Sequence, residues 1–280
     1  MKILEKIEDV KREIRRIKRK DKKIGFVPTM GYLHEGHISL IRKAREECDY
    51  VVVSIFVNPT QFGPGEDYKR YPRDLNRDIK ILKKEKVNLL FVPKVEDMYP
   101  KDFKTWVIVE DLSEKLEGKF RPSHFRGVCT VVLKLFNIVE PDCAYFGWKD
   151  AQQLVIVKKM VEDLNIPVEI IGCKTVREKD GLAASSRNTY LSEKDREKAL
   201  CLYKALHKIK EMVELEGIRE SDILLKEGKK IIENTEGVKL QYLEAVNLKN
   251  LNPVKKIKKG VMVAGAIKIG KVRLIDNIIF

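Results

Sequence analysis

The chain has 280 residues, of which 44% are hydrophobic and 35% charged, and its 56 basic and 42 acidic side chains give a formal net charge of +14. This composition is typical of a globular protein and excludes collagen-like, low-complexity and disordered classes. The N-terminus has no apolar signal segment, and no apolar run approaches the ~18 residues of a membrane span. We therefore expect a cytoplasmic protein with no membrane partner.

The positive charge and the five cysteines each suggest a specialised role that the sequence pattern does not favour. The densest basic run, residues 11–23, overlaps a helical apolar stripe formed by Ile3, Leu4, Ile7, Val10, Ile14 and Ile17. This pattern predicts an amphipathic helix with a solvated basic face, and not a nucleic-acid site. The cysteines are odd in number and lack ligand spacing, so we expect reduced, buried thiols.

Apolar runs and amphipathic segments alternate along most of the chain. The predicted strands lie at 24–27, 50–57, 87–92, 106–109, 143–146 and 168–172, and the intervening segments predict helices ending near 48 and spanning 74–84, 127–139 and 151–164. Near-continuous apolar strands separated by helices are typical of a parallel sheet covered on both faces. The sequence therefore predicts an α/β fold with a Rossmann-like, doubly wound parallel sheet.

The pattern changes near the C-terminus. Two helices, 193–213 and 222–232, precede strands at 238–246, 260–269 and 271–275. We expect a smaller C-terminal α+β lid domain at 186–280, after a nucleotide-binding domain at 1–185. A near match to the P-loop pattern at 265–272 ends in Val272, which lacks the hydroxyl that binds Mg²⁺, so we predict a strand there.

The stretch from Lys23 to His37 joins a buried strand, a glycine turn and the start of a helix within fifteen residues. A helix N-terminus presents unpaired N–H groups, and therefore favours anions. Gly31 and Gly36 would let a phosphate approach the main chain, while His34 and His37 lie in one helical turn. This combination predicts a site for a phosphorylated ligand.

A metal pair is the main alternative for these two histidines. Zinc requires at least a third nitrogen, sulfur or carboxylate ligand, and the chain has neither H-E-x-x-H nor C-x-x-C. Either histidine alone could be structural. Because two of the four histidines lie in one glycine-containing turn, we favour a chemical role and predict no metal site.

Other candidate residues follow the remaining predicted strands. Asn58 and Gln61 lie in a Pro- and Gly-rich loop, where amides suit a hydroxy acid, although Asn-Pro alone would predict only a turn. Arg121 precedes a helix, and an arginine can grip a carboxylate bidentately, although most surface arginines contribute little. Loops at the carboxyl ends of parallel strands form the ligand site of open α/β sheets.

Two further loops carry groups suited to a nucleotide. Lys149 can neutralise phosphate charge and Asp150 can accept from ribose hydroxyls, although such a pair is often only a solvated surface feature. Downstream, Ser185, Ser186 and Arg187 place two hydroxyls beside a guanidinium on a loop that we expect to be mobile, where serines alone would indicate a turn or cap.

Together these motifs resemble those of a known enzyme family. His34-Glu35-Gly36-His37 matches the H-x-G-H signature of nucleotidyltransferases related in fold to class I aminoacyl-tRNA synthetases, and the longer P-T-M-G-Y-L-H-E-G-H resembles the pantothenate synthetases (pantoate–β-alanine ligases). The N-P-T-Q-F-G, R-P-S-H-F-R-G, G-W-K-D and S-S-R segments follow in the family's order. The resemblance implies ATP-dependent condensation of pantoate and β-alanine through pantoyl adenylate, releasing AMP and pyrophosphate.

The resemblance also implies roles for individual residues. His37, as proton donor, His34 and Lys149 would be catalytic. Gln61, Gln153 and Met30 would bind pantoate, and Gln61, Asn58 and Arg121 would contact β-alanine. ATP, used as a substrate with Mg²⁺, would be bound by Met30, Gly31, His34, Gly36, His37, Gly147, Trp148, Lys149, Asp150, Val176, Ala184, Ser185, Ser186 and Arg187. The family further implies a homodimer that binds small molecules and no nucleic acid.

Two positions depart from the family pattern, and two other functions remain open. Trp148 stands where an acidic or amide residue is commoner, and Ala184 replaces a larger apolar residue. Another H-x-G-H nucleotidyltransferase is one alternative, which the Asn58/Gln61 loop and Gln153 disfavour. A basic nucleic-acid-binding module is the other, and it predicts salt-sensitive binding to RNA or DNA.

Overall fold

A computed structural model describes residues 1–280 and contains two sheets. Its strands are β1 Lys2–Leu4, β2 Ile24–Thr29, β3 Tyr50–Ile55, β4 Leu89–Phe91, β5 Cys143–Gly147, β6 Glu169–Cys173, β7 Val238–Asn247, β8 Val261–Ile269 and β9 Val272–Ile279. The first six form one parallel sheet in the order β1-β4-β3-β2-β5-β6, and the last three form an antiparallel sheet in the order β7-β8-β9.

Nine α-helices connect these strands. They are α1 Ile7–Lys18, α2 Glu35–Glu47, α3 Leu75–Lys84, α4 Val95–Met98, α5 Glu117–Phe120, α6 His124–Val139, α7 Ala151–Asp163, α8 Glu193–Glu214 and α9 Ser221–Glu233. The predicted α/β class, with a Rossmann-like parallel sheet and a smaller C-terminal α+β unit, is confirmed.

Helices cover both faces of the parallel sheet. Phe26 of β2 points into a cluster with α1, α6 and α7, whereas the adjacent Val27 joins a second cluster with α2 and α3. Because successive side chains of a strand point to opposite faces, both faces need apolar residues, which explains the continuous apolar runs. The four inner strands, β2 to β5, are therefore buried, while the edge strands β1 and β6 are partly exposed.

The order of the parallel strands reverses at β2. From β2 the chain builds outward through β3 and β4, and it then crosses to β5 and β6 on the other side of β2. Connections leaving the carboxyl ends of β2 and β5 therefore diverge, which opens a crevice at this edge of the sheet. The histidine turn follows β2 and the Lys149 loop follows β5, so both meet at the crevice.

The C-terminal sheet lies between two apolar layers. Leu243 and Val263 pack against α8 and α9, while the alternate residues Tyr242 and Met262 join the core of the parallel-sheet domain. Gly265 of β8 lies against Leu202, where an added Cβ would come within 2.8 Å of the leucine methyl. The P-loop-like segment is thus mostly strand, as predicted.

Two secondary-structure predictions are wrong. Ile3 and Leu4 belong to β1, which pairs with β4, and the first helix begins only at Ile7. A three-residue strand is too short to show a periodicity of its own. Residues 106–109 form no strand, and Trp106 and Ile108 are both exposed. The other predicted elements are present with boundaries shifted by a few residues.

Two further observations complete the description. No helix is both long enough and apolar enough to cross a bilayer. All five cysteines are unpaired; four are buried and Cys173 is partly exposed.

Phe136 provides a test of the packing between α6 and β2. Its ring is 2% exposed and meets Phe26 edge to face at 6.4 Å between centroids. We expect Phe136→Ala to lower the free energy of unfolding by about 3–5 kcal/mol, because it leaves a cavity in the core. Urea unfolding measures this. Leu215→Ala, at a position 81% exposed, is the control and should cost at most about 0.5 kcal/mol; equal costs would contradict the packing described.

Candidate active site

A side chain of helix α3 holds the turn that follows β2. Gly31 and Tyr32 both have positive φ, 82° and 50°. The carboxylate of Asp78, 1% exposed, accepts hydrogen bonds from the backbone N–H of Tyr32 (2.7 Å) and of Leu33 (2.8 Å). A Cβ at position 31 would lie 2.8 Å from Ile55 and 3.1 Å from the Asp78 carboxylate. This turn sets the direction in which α2 begins.

The two histidines cap the start of α2 reciprocally. His34 Nδ1 accepts from the Gly36 N–H at 3.1 Å, and His37 Nδ1 accepts from the His34 N–H at 3.4 Å. Their rings are 4.0 Å apart between centroids. A Cβ at position 36 would lie 2.8 Å from the His34 ring, so only glycine allows this ring to fold back over the helix start. Sequence proximity predicted the pair, and the structure brings the rings together.

Both imidazoles are held in the neutral form. Burial and then the charge of Lys149 lower the pKa of His34 to about 4. Burial, His34 and Lys149 hold the pKa of His37 well below its usual range. Since each Nδ1 accepts a hydrogen bond, the remaining proton lies on Nε2. The turn therefore offers two uncharged N–H donors beside the lysine charge.

Gln61 lies directly beside Met30. Its Nε2 donates to Met30 Sδ at 3.3 Å, and its Oε1 accepts from Asn58 Nδ2 at 3.0 Å. Asn58 is 1% exposed; its Nδ2 also donates to the Gly127 carbonyl, and its Oδ1 accepts from Thr60. The predicted neighbours Met30 and Gln61 are thus together, while Asn58 uses its polar atoms to hold Gln61.

The serine-arginine loop packs on the histidine turn. Ser186 Oγ donates to the Tyr32 carbonyl at 3.3 Å, and Ala184 lies 3.8 Å from the Cβ position of Gly36. Ser185 caps its own turn by accepting from the Arg187 N–H, and the Val176 carbonyl accepts from the Ala184 N–H. Ala184 is 5% exposed, so its small side chain allows close packing against the H-x-G-H glycine.

A cavity of about 830 Å³ lies between the parallel-sheet domain and the C-terminal sheet, beside the serine-arginine loop. Its lining includes six predicted residues: Arg121, Lys149, Asp150, Gln153, Ser185 and Arg187. His34, His37, Gln61 and Met30 lie outside this lining. Trp148 also lies outside it; its indole packs over Gly172, where a Cβ would come within 2.6 Å of Nε1. The Trp148 side chain thus packs on β6 and not in the cavity.

Both predicted anion-binding arginines are already ion-paired. Arg121 donates from Nε and Nη2 to Glu66 at 2.7 and 2.8 Å, and Arg187 donates from Nε and Nη2 to Asp67 at 2.9 Å each. Burial favours the neutral form of Glu66, but Arg121 outweighs this and the pKa of Glu66 is lowered. The two acids are adjacent in sequence, so one segment neutralises both arginines.

Sequence reasoning missed Asp78, Glu66 and Asp67. A signal existed for Asp78, because it occupies the apolar stripe of α3 between Leu75 and Leu82, where a carboxylate requires buried partners. Glu66 and Asp67 give no such signal, since acidic residues beside Gly65 are equally typical of a solvated loop.

A parallel sheet with a capped histidine turn at its switch point, a lysine loop and a serine-arginine loop defines an α/β enzyme that acts on a nucleotide. The family model described as pantoate-beta-alanine ligase matches residues 2–279, so the chain belongs to the pantoate–β-alanine ligase family. The resemblance identified from the sequence motifs is confirmed.

Individual relatives match this chain over nearly their whole length. The chain is 57% identical to a pantothenate synthetase of Thermotoga petrophila, over 100% of this chain and 99% of the relative. A crystal structure of pantothenate synthetase from Thermus thermophilus superposes with a TM-score of 0.95 at 46% identity, covering 99% of both chains. A Francisella tularensis pantoate-beta-alanine ligase, complexed with beta-gamma ATP and beta-alanine, gives a TM-score of 0.82 at 42% identity, covering 100% and 97%.

The buried imidazole of His124 predicts a pH dependence of stability. Burial lowers its pKa to about 3, while its Nδ1 lies 2.9 Å from the Gln61 carbonyl. The unfolded chain therefore binds more protons than the folded chain below pH ~6.5, and stability is lost as the pH falls. Between pH 7 and 5, wild-type unfolding free energy should fall about 1–2 kcal/mol more than that of His124→Gln.

Urea unfolding at several pH values measures this difference. His207→Gln is the control for removing a histidine from the surface, because this side chain is 51% exposed. Parallel pH curves for the wild type and His124→Gln would contradict the prediction.

Proposed function

We infer that the chain joins pantoate to β-alanine with consumption of ATP, through pantoyl adenylate. A pantoate carboxylate oxygen forms a bond to the α-phosphorus while the bond to the leaving pyrophosphate breaks. The β-alanine amine then attacks the acyl carbon, AMP leaves and the amine loses a proton. This is the acid–amino-acid ligase reaction that the family's name describes.

One observation carries this proposal: the serine-arginine loop rests on the histidine turn, through Ser186 and the Tyr32 carbonyl. Groups predicted to bind phosphate, from two distant parts of the chain, therefore converge at the carboxyl edge of the sheet. Helix N-termini and convergent donors at such a crevice suit a polyphosphate.

We propose roles for the site residues on this basis. His34 and His37 donate from Nε2 to phosphate oxygens, and Lys149 supplies positive charge as the pyrophosphate leaves. Negative phosphates nearby would raise the pKa of His37 toward the range in which it can give up a proton, in keeping with its predicted role as proton donor. Gly31, Gly36 and Gly147 would contact ATP through their main chain.

The remaining ATP contacts would come from Val176, Ala184, Ser185, Ser186, Arg187 and Asp150, and from the main chain at Met30 and Trp148. Pantoate would lie against Met30, Gln61 and Gln153. β-Alanine would present its carboxylate to Arg121, beside Gln61, while Asn58 keeps Gln61 in place. Because Arg121 and Arg187 are paired with carboxylates, the substrate anions must replace or join Glu66 and Asp67.

Mg²⁺ enters this proposal as part of the ATP substrate. In ATP-using enzymes this ion is bound largely by phosphates and water, with one or two carboxylates. Asp150 lines the cavity and is 47% exposed, so it is the carboxylate that we propose for this contact.

We also propose that residues 1–185 and 186–280 act as separate domains and that the second closes over ATP. The cavity lies between the two sheets, so a change in their separation would change access to it. We propose a cytoplasmic location, as expected for a biosynthetic ligase of this kind.

Exchange of labelled pyrophosphate into ATP, with pantoate present and β-alanine absent, tests the first half-reaction. We expect pantoate-dependent exchange, and a reduction on the order of 10²- to 10³-fold in Lys149→Ala and His37→Ala, because each removes one preorganised donor. Lys194→Ala and His207→Ala, at exposed positions of α8, are the controls. Wild-type exchange in either site variant would refute its role, and exchange without pantoate would refute the acid substrate.

A homodimer is the assembly that we propose, formed through the segment 104–108. It belongs to no strand, and it exposes Trp106 (37%) and Ile108 (60%). Exposed apolar side chains of this kind can pack against a second copy about a two-fold axis. We expect Ile108→Asp to convert dimers to monomers in light scattering, with Ile223→Asp, an exposed position of α9, as control. Unchanged dimers would exclude this surface.

A further inference from the structure

The last strand of the protein ends against the loop that carries Lys149. Asn277 of β9 is 7% exposed, and its Nδ2 donates to the Trp148 carbonyl at 2.9 Å and to the Lys149 carbonyl at 3.0 Å. Both partners are acceptors, so the orientation of the amide is unambiguous. No other side chain donates to either carbonyl. The peptide groups around Lys149 are thus fixed by a residue almost 130 positions away.

The neighbouring Asp276 binds the other nucleotide loop. Its carboxylate accepts from both terminal nitrogens of Arg177, at 2.6 and 3.0 Å, and from the N–H of Asn277 at 2.8 Å. Arg177 also donates to the Gly181 carbonyl at 3.1 Å, within the segment leading to the serines. Two consecutive residues of β9 therefore hold the Lys149 loop and the base of the serine-arginine loop.

We propose that Asn277 is a positioning residue that sets the placement of the Lys149 ammonium group for adenylate formation; this rests on the proposed function. Lys149 lies in a single 3₁₀ turn, Trp148–Asp150, between β5 and α7. In so short a turn, the peptide orientation decides where the side chain points. Misplacement of a charge by ~1 Å can cost on the order of 10²-fold in rate.

Asn277 is not needed merely to dock the C-terminal sheet. Arg273 and Tyr242 both bond to Glu117 of α5, with Arg273 Nη2 and Tyr242 Oη each 2.7 Å from Oε1. The buried faces of β7 and β8 add apolar contact to the same interface. Removing the Asn277 amide therefore leaves the sheet attached and acts on the loop.

The test replaces Asn277 with aspartate, which has the same shape but directs an oxygen at two carbonyls. We expect Asn277→Asp to slow pantoate-dependent ATP–pyrophosphate exchange on the order of 10- to 100-fold. Release of pantothenate, when β-alanine is added to isolated enzyme–adenylate complex, should stay within about 2-fold of wild type, because the pyrophosphate has already left. Asn234→Asp, the same change at an exposed position of α9's C-terminus, is the control.

A double-mutant cycle with Lys149→Ala tests whether the effect passes through the lysine. We expect Asn277→Asp to weaken ATP binding in the wild-type background and to add little to Lys149→Ala, because coupled residues are not additive. An equal loss of ATP affinity in the wild-type and Lys149→Ala backgrounds would overturn the positioning role. An equal loss of rate in the two half-reactions would also overturn it. Should Asn277→Asp not fold, Asn277→Ser retains one donor and should give a smaller loss of the same kind.

The two proposals fail in different ways. Wild-type exchange in Lys149→Ala would refute the role of the lysine and with it the proposed function of the loop. Impaired exchange in Lys149→Ala together with wild-type exchange in folded Asn277→Asp would overturn only the inference about Asn277.

Discussion

The hydrogen bonds from the Tyr32 and Leu33 amides to the buried carboxylate of Asp78 fix the direction in which the chain leaves β2. Gly31 and Tyr32 both have positive φ, which L-residues rarely adopt, so the turn needs external support. Two hydrogen bonds to the Asp78 carboxylate provide it; they lower the pKa of Asp78, but burial outweighs them and the pKa stays above its usual value. The helix start and its two histidines take their positions from this turn, and the serine-arginine loop packs on them in turn.

Charge compensation is the second organising feature of the site. The chain carries a net charge of +14, yet Arg121 and Arg187, two of the four arginines that line the cavity, are each paired bidentately with a carboxylate. Substrate anions bound at these two arginines, as proposed, would therefore exchange one anion for another. The net binding free energy is the difference between the arginine–substrate pairing and the arginine–carboxylate pairing that it replaces. This difference limits non-specific binding of other anions.

His34 and His37, unlike the arginines, carry no charge that needs a partner. They are kept uncharged by burial and by the lysine beside them, and their capping bonds leave Nε2–H free to act. A neutral donor adds no repulsion to Lys149 before ATP arrives. Phosphate bound beside the histidines, as proposed, would favour their protonated form and would couple their protonation state to occupancy of the site.

Local sequence determined the seven longer helices, most strands, the fold class and the H-x-G-H turn, because apolar periodicity and capping depend on neighbouring residues. It also identified the family and brought Met30, Gln61, Lys149 and Arg187 forward as candidates. Only the tertiary structure decided that Lys2–Leu4 pairs with β4, that 106–109 has no partner strand, and that both polar atoms of the Asn58 side chain are hydrogen-bonded. It also decided that Glu66 and Asp67 pair with Arg121 and Arg187, and that Asp78 and Asn277 hold the histidine turn and the Lys149 loop. These depend on contacts between residues far apart in the chain, and a sequence pattern records only near neighbours.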